Sequence, residues 1–252
     1  MKTRFSHAFL SATPGVEETS FSLLDDEKRP DSVLGPRLRA SKPTRLMEVE
    51  DRAALENECV DQARALLKRH GTVAVVVNRV VSASVIARQL SEMLGTDTTV
   101  TLLTGRMRPL DRDDVLRELR PAVQTGRERS DDLPKRVIVG TQCMEAGADF
   151  DFDAIVTEAA SLDSLRQRFG REDRLGKYKR AEGVIVYDKS VKDDPVYGKA
   201  IAETVKWLKK QKRALPKKAL VDFGVLALDL PTGDELAKLL APKPSAPTLL
   251  PA

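Results

Sequence analysis

The sequence predicts an α/β fold, a parallel β-sheet with helices on both faces, followed by a C-terminal helical extension and a disordered tail. Three observations carry this. Runs such as TVAVVVN (Thr72 to Asn78) are continuously β-branched rather than alternating, as in strands buried on both faces of a parallel sheet. Such runs alternate with amphipathic stretches of helical period. A hydrophobic share of 41% beside a charged share of 32% supplies a core and argues against a disordered chain.

Taken in order, Ala8, Phe9 and Leu10 run straight into SATPG (Ser11 to Gly15), a strand and its exit loop that imply a partner upstream. Val16 to Pro43 is polar and aperiodic, an extended linker or surface loop. TRLMEVE (Thr44 to Glu50) reads as an edge strand, and Asp51 to Arg69 as a helix stopped by Gly71. The buried strand from Thr72 precedes a helix over Ser82 to Leu94. The unit then recurs: strand TVTLLT (Thr99 to Thr104), helix Leu110 to Leu119, strand RVIVGT (Arg136 to Thr141), a short helix, strand AIVTE (Ala154 to Glu158), a helix from Leu162 and strand GVIVYD (Gly183 to Asp188). The charged stretch between Pro121 and Pro134 is expected to be a surface loop. A helix from Pro195 to about Ala214 should pack through Trp207, and PKPSAPTLLPA shows no packing pattern. The expected division is 1–43 inter-lobe segment, 44–190 α/β domain, 191–240 helical extension and 241–252 proline-rich tail.

Composition narrows the function classes. Lys and Arg number 42 against 38 Asp and Glu, a net charge of +4 that does not by itself establish a nucleic-acid partner. Cys59 and Cys143 lack CxxC spacing and His7 and His70 lack ligand neighbours, so no zinc site or disulfide framework is expected. No apolar run reaches the roughly 18 residues of a membrane helix. The expected location is a reducing cytoplasm, away from the membrane.

Ligands of such sheets gather at the carboxyl ends of strands. VNRV puts Asn78 and Arg79 just past one strand, and LLTGR does the same for Thr104, Gly105 and Arg106. A glycine lets backbone amides approach a phosphate and an arginine supplies a forked donor, so two such exits on neighbouring strands can track a phosphate backbone. Singly, each reads as a solvated loop. GTQCMEAGADFDFD (Gly140 to Asp153) offers Thr141 and Gln142 at another strand end, with Glu145 and Asp149 flanking Gly147. No third ligand accompanies that pair, so orienting an arginine or a ribose suits it better than a metal, and a plain helix-turn stays open. SLDSLRQRFGREDRLG (Ser161 to Gly176) carries Arg166, Arg168, Arg171 and Arg174 around Gly170. Leu162, Leu165 and Phe169 fix its buried side and place Arg168, Arg171 and Arg174 together on the other, where the plain alternative is a solvated basic face. The lysines of KWLKKQKRALPKK (Lys206 to Lys218) read as solvated.

SATPG, TQCMEAGADFDFD and QRFGREDR, in this order, resemble motifs III, V and VI of superfamily 2 helicases. VVVNRV, LLTGR, LRQRFGR and DPVYG together resemble the CRISPR-associated helicase–nuclease of type I systems, over nearly the whole chain from Ser6 to about Leu215. The resemblance implies a second RecA-like lobe. It implies Arg171 and Arg174 as arginine fingers toward an ATP γ-phosphate, and Gln167, Arg168, Gly147 and Asp149 on the nucleotide side. It implies Asn78, Arg79, Gly105, Arg106, Thr141 and Gln142 on the sugar–phosphate backbone of single-stranded DNA, with Ser11 and Thr13 relaying nucleotide state.

No G-x-x-x-x-G-K-[ST] loop and no strand-end DExx box occur; GPRLRASKP (Gly35 to Pro43) lacks the second glycine and follows no strand. ATP and Mg2+ are therefore expected mainly on a first RecA-like lobe, and this chain alone is expected to be inactive. No paired His-Asp metal motif occurs, so the nuclease is expected on another domain or subunit. A CRISPR surveillance complex is the expected partner. A non-catalytic single-strand-binding or partner-docking module and an RNA-directed lobe are the alternatives. Glu172 and Asp173, between the two fingers, raise the question of whether they neutralise them.

Overall fold

A computed structural model describes residues 25–130, 133–145, 149–211, 213–215 and 218–242. The SATPG loop with Ser11 and Thr13, Gly147, and residues 243–252 of the proline-rich tail lie outside the described residues.

The elements follow the predicted alternation. They are α1 (Gly35–Arg39), β1 (Pro43–Val49), α2 (Arg52–Leu67), β2 (Thr72–Val76), α3 (Val80–Leu94), β3 (Thr98–Leu103), α4 (Pro109–Val123), β4 (Lys135–Gly140), a 3₁₀ turn (Gln142–Met144), β5 (Ala154–Glu158), α5 (Leu162–Phe169), β6 (Glu182–Asp188), α6 (Ala200–Gln211), β7 (Arg213–Leu215), β8 (Lys218–Asp222) and α7 (Gly233–Leu239). The strands form one sheet in the order β3-β4-β2-β5-β6-β1-β8-β7. Neighbours among the first six pair in parallel, and the β7–β8 hairpin adds to β1 antiparallel.

Strand periodicity divides the interior into two layers. Val73 and Val75 face Leu55, Leu66, Ile86 and Leu90 of α2 and α3 in one core. Ala74 and Val76 belong to the other, with Leu119 of α4, Leu165 and Phe169 of α5, and Trp207 and Leu208 of α6. Each such fully buried aliphatic or aromatic side chain contributes about 1.5–3 kcal/mol of transfer free energy, so the sheet is a rigid platform for its strand ends. Asp51 opens α2 as an N-cap, its carboxylate accepting from the Ala54 amide at 2.9 Å.

Four stretches differ from expectation. TRLMEVE is not an edge strand, because β1 lies between β6 and β8, and α1 (Gly35–Arg39) forms within the expected linker. The extension after residue 190 holds a strand hairpin as well as helices, because β8 gives its backbone partners to the free edge of β1. The stretch between Pro121 and Pro134 is not a plain surface loop. α4 continues through Pro121 to Val123, and Arg127 and Arg129 turn inward to Asp153, at 2.6 and 2.7 Å. Arg127 and Asp153 side chains are 5% and 4% exposed, and Arg129 also meets the fully buried Asp151 at 2.8 Å. A buried ion-pair cluster therefore ties this stretch to the residues leading into β5.

Candidate nucleotide and nucleic-acid site

The ends of β2, β3 and β4 form one edge. β4 lies between β2 and β3, so the Asn78 and Gly105 exits are not neighbours, and Thr141 and Gln142 stand between them. The ends are level, because Leu103 and Val76 are both in register with Gly140. At about 4.8 Å per strand the row spans roughly 10 Å. Arg79, Gly105 and Arg106 are exposed, Gln142 is half-buried, and Thr141 and Asn78 are buried. Asn78 is consumed inside the fold: its Nδ2 donates to the Ala159 carbonyl at 2.8 Å, its backbone amide donates to Glu158 Oε2 at 2.8 Å, and its Oδ1 accepts from Arg168. Its role on this edge is to fix the chain beneath Arg79.

Arg168 corrects the grouping read from the helix. It does not stand with Arg171 and Arg174 on the open face; it is 1% exposed. Its Nε donates to Glu145 Oε1 at 2.8 Å, its Nη1 to Thr157 Oγ1 at 2.8 Å and the Glu158 carbonyl at 2.9 Å, and its Nη2 to Asn78 Oδ1 at 2.9 Å and Tyr197 Oη at 3.2 Å. A guanidinium has five N–H donors, and these five bonds use them all. Burial opposes the charge, but Glu145 and the other acceptors outweigh it, and the guanidinium is held charged more firmly than usual. Tyr197 is set by Asp194, whose Oδ1 accepts from the amides of Val196 and Tyr197 at 2.8 and 3.1 Å, an Asx turn at the heart of DPVYG.

Beyond α5 the chain turns back along the segment before β5. Phe152 donates its amide to the Arg171 carbonyl at 2.7 Å, Asp173 donates to the Phe152 carbonyl at 3.0 Å, and Arg174 donates to Asp151 Oδ1 at 2.9 Å. The Arg171 side chain grips the Glu145 carbonyl through Nε and Nη2 at 3.2 and 2.7 Å. Arg174, 31% exposed at its side chain, meets Asp149 at 2.9 Å. The Thr125 hydroxyl first, and Arg174 with it, hold the Asp149 carboxyl below the usual carboxylate range. Burial first, then the neighbouring Arg174 charge, lowers the Arg171 pKa. Asp149 thus pairs with Arg174, and two guanidinium groups lie together on this loop. Gln167 is half-buried on the preceding turn of α5.

Glu172 and Asp173 point away from the Arg171 and Arg174 side chains. Asp173 adopts a left-handed backbone (φ 37°), and its carboxylate accepts from the amides of Lys177 and Tyr178 at 2.9 Å each. Glu172 is fully buried, and among the described residues neither of its carboxylate oxygens has a hydrogen-bond partner. Burial pushes its carboxyl up to about 8 despite the opposing pull of Lys42. Lys42 is itself buried and donates to the Phe169 carbonyl at 2.6 Å.

Sequence reasoning missed Glu145, Glu158 and Tyr197 as organisers of Arg168. The signal was present: Arg168 follows Leu165 by three and Ser164 by four, which puts a charge on the buried stripe of α5.

A parallel sheet with α layers on both faces, polar residues along the strand ends and an arginine loop after the helix beyond β5 is a RecA-like arrangement. Residues 69–177 match the family described as CRISPR-associated nuclease/helicase Cas3, C-terminal. Over these residues the chain is similar to the Cas3-like helicase C-terminal family. Curated relatives include the CRISPR-associated nuclease/helicase Cas3 of Streptococcus thermophilus, 32% identical over 119 residues, and that of Haloferax volcanii, 30% identical over 122 residues. Each match covers 47% of this chain and 12% of the relative, so the chain matches only a small part of those proteins. Among solved structures, T. fusca Cas3 with ATP superposes with a TM-score of 0.60 at 20% identity, covering 75% of this chain and 24% of that one. A chain of a CRISPR RNA-guided surveillance complex, pre-nicking, gives 0.55 at 20% identity, covering 73% and 24%. At these identities the likeness is one of fold.

Proposed function

We propose that this chain is the second motor lobe of an ATP-dependent helicase that moves on single-stranded DNA in CRISPR interference, hydrolysing ATP only together with a first RecA-like lobe. The observation that carries the reading is the Arg171–Arg174 pair, steered by the Glu145 carbonyl and by Asp149 while every donor of Arg168 is used inside the fold. Positive charge fixed beside a developing γ-phosphate lowers its barrier, an effect of about 10³ to 10⁵ in rate for arginine fingers. Among the described residues no group of three His, Cys, Asp or Glu side chains could hold a metal, and no Walker-type loop occurs in the sequence. ATP and Mg2+ are proposed to be held mainly by the first lobe, and when bound they would supply the scissile phosphate and its charge neutralisation. This chain's residues supply cations to the phosphate and, at the strand edge, Arg79, Arg106, the Gly105 backbone, Thr141 and Gln142 to the DNA.

The two sets are joined by contact. Asn78 lies under the DNA edge and bonds Arg168, Arg168 bonds Glu145, and Glu145 receives Arg171, so a shift of either set is felt by the other. Ser11 and Thr13 are proposed as a further relay. A nuclease domain or subunit and a CRISPR surveillance complex are the proposed partners, and the cytoplasm the proposed location. Among the described residues no helix is long and apolar enough to cross a membrane.

ATP turnover by the chain alone, and by the chain with a first lobe in cis or in trans, tests the reading. We expect no turnover alone and DNA-stimulated turnover when joined. A folded, joined protein that hydrolyses no ATP, while this chain alone binds single strands tightly with a log–log salt slope near −0.7 per phosphate contacted, would establish the binding-module reading instead.

A further inference from the structure

The amino-terminal edge of the sheet, opposite the strand ends above, carries two adjoining cavities that the motor mechanism does not use. The first, of about 260 Å³, lies between the end of α4 and the segment before β6. Pro121, Leu133 and Pro134 give it an apolar wall, and Tyr178 with Arg129 gives it a stacked one. The Arg129 guanidinium lies 5.0 Å from the Tyr178 ring centroid, and Arg180 lies 5.2 Å from the same ring. The second cavity, of about 550 Å³, shares Gly71 and Arg180 with the first and is lined by Lys68, Arg69, His70, Lys135 and Glu182.

Charge is concentrated here. The two linings together carry seven Lys and Arg side chains against three carboxylates. These counts are of the described residues, and two of the cations, Arg127 and Arg129, are already paired with Asp153 and Asp151. Glu182 neutralises Arg69 at 2.6 Å, and Lys135 holds the Leu67 carbonyl at 2.7 Å. Lys68 and Arg180 are exposed on the rim.

A second, independent feature is His70. It is 4% exposed, and its Nδ1 is fixed by the Tyr178 hydroxyl at 3.0 Å. Among the described residues its Nε2 makes no close hydrogen bond; it faces the Glu182 carboxylate at 3.6 Å, and His70 first, with Arg69, holds that carboxyl down at about 2. The loose contact leaves room for a ligand or water to meet this ring nitrogen at hydrogen-bond length. It belongs to the lining of the basic cavity.

We propose that these cavities form a nucleoside-phosphate site: the base packs in the first, against the Arg129–Tyr178 stack and the Pro121–Leu133 wall, and the phosphate sits in the second, among Arg180, Lys68 and His70 Nε2. Bases stack on aromatic rings and on guanidinium planes, and guanidinium forks pair with phosphate oxygens. An acidic polypeptide would use the cations but not the stacking wall. The same chemistry is offered by one nucleotide of a single strand and by a free nucleotide.

The test uses the full chain, a fluorescent oligo(dT) and, separately, AMP and poly-glutamate. Lys68→Glu combined with Arg180→Glu changes only exposed rim residues, and an unchanged melting temperature verifies folding. We expect the double variant to weaken oligo(dT) binding roughly tenfold or more and to flatten its salt slope by about 0.7 for each phosphate that is no longer neutralised. The His70 ring signals of the parent should shift on ligand addition, and Arg79→Ala with Arg106→Ala should leave that shift in place. Loss of AMP binding alone, with oligo(dT) untouched, supports the site and identifies a free nucleotide as its source. Equal binding of both probes by parent and variant with no His70 response overturns the proposal, as does a variant that loses only poly-glutamate. Neither overturning result touches the motor reading, which rests on the other edge and on Arg171.

Discussion

Arg168 shows how one side chain can be both charged and structural. It is buried with all five donors used, so its removal would leave the Glu145 carboxylate and the Asn78 amide without their partner. Truncating one partner of a buried, hydrogen-bonded charge pair costs about 3–5 kcal/mol. Arg168→Ala should therefore melt well below the parent, and Arg168→Lys should not restore it, because an ammonium has three donors and no planar fork. Thermal denaturation followed by circular dichroism checks this, and a change below about 1 kcal/mol would contradict the network. The inward turn of Arg168 was readable from its place on the apolar stripe of α5, although grouping it with the other arginines hid the signal. Arg127 and Arg129 were not legible in that way. Two arginines at period two answer two aspartates, Asp151 and Asp153, at period two, a match that only the fold brings face to face.

Among elements, the Arg171–Arg174 loop depends on how α5 ends. Phe169 is buried at the last turn of α5 and stacks on Phe223 with ring centroids 4.1 Å apart. Across the sheet it presses on Gly183 of β6. A Cβ there would lie 2.5 Å from Phe169 Cε1 and 2.6 Å from Thr44 Oγ1. Replacing glycine by alanine ordinarily gains about 0.4–1 kcal/mol where the backbone allows it. Gly183→Ala should instead lower the melting temperature, with a cost of about 1–3 kcal/mol typical of overpacking. An unchanged or raised melting temperature would mean that Phe169, and the loop it anchors, sits more loosely than its stacking on Phe223 implies. The strands were legible because a parallel sheet buried on both faces demands unbroken β-branched runs, as in TVAVV of β2. The β7–β8 hairpin was not. Its strands are three and five residues long and lie in a lysine-rich stretch, and their reason to form is the open edge of β1, a tertiary fact.

At the scale of the molecule, the two proposed sites lie on opposed edges of the sheet. The carboxyl ends of β2, β3 and β4 present Arg106, Gln142 and Arg79, and the loop after α5 presents Arg171 and Arg174. The opposite edge holds the basic cavities. The order of QRFGREDR made the arginine loop legible, but the sequence could not say which arginines face outward or that Glu172 and Asp173 turn inside. The central claim is that Arg171 and Arg174 act on a nucleotide held by another lobe, and one measurement tests it most directly: DNA-stimulated ATP turnover of the joined two-lobe protein, parent against Arg171→Ala and Arg174→Ala. The account predicts a loss of about 10³-fold or more in kcat for Arg171→Ala with single-strand affinity unchanged. Parent-like turnover by a folded Arg171→Ala, Arg174→Ala double variant would contradict it.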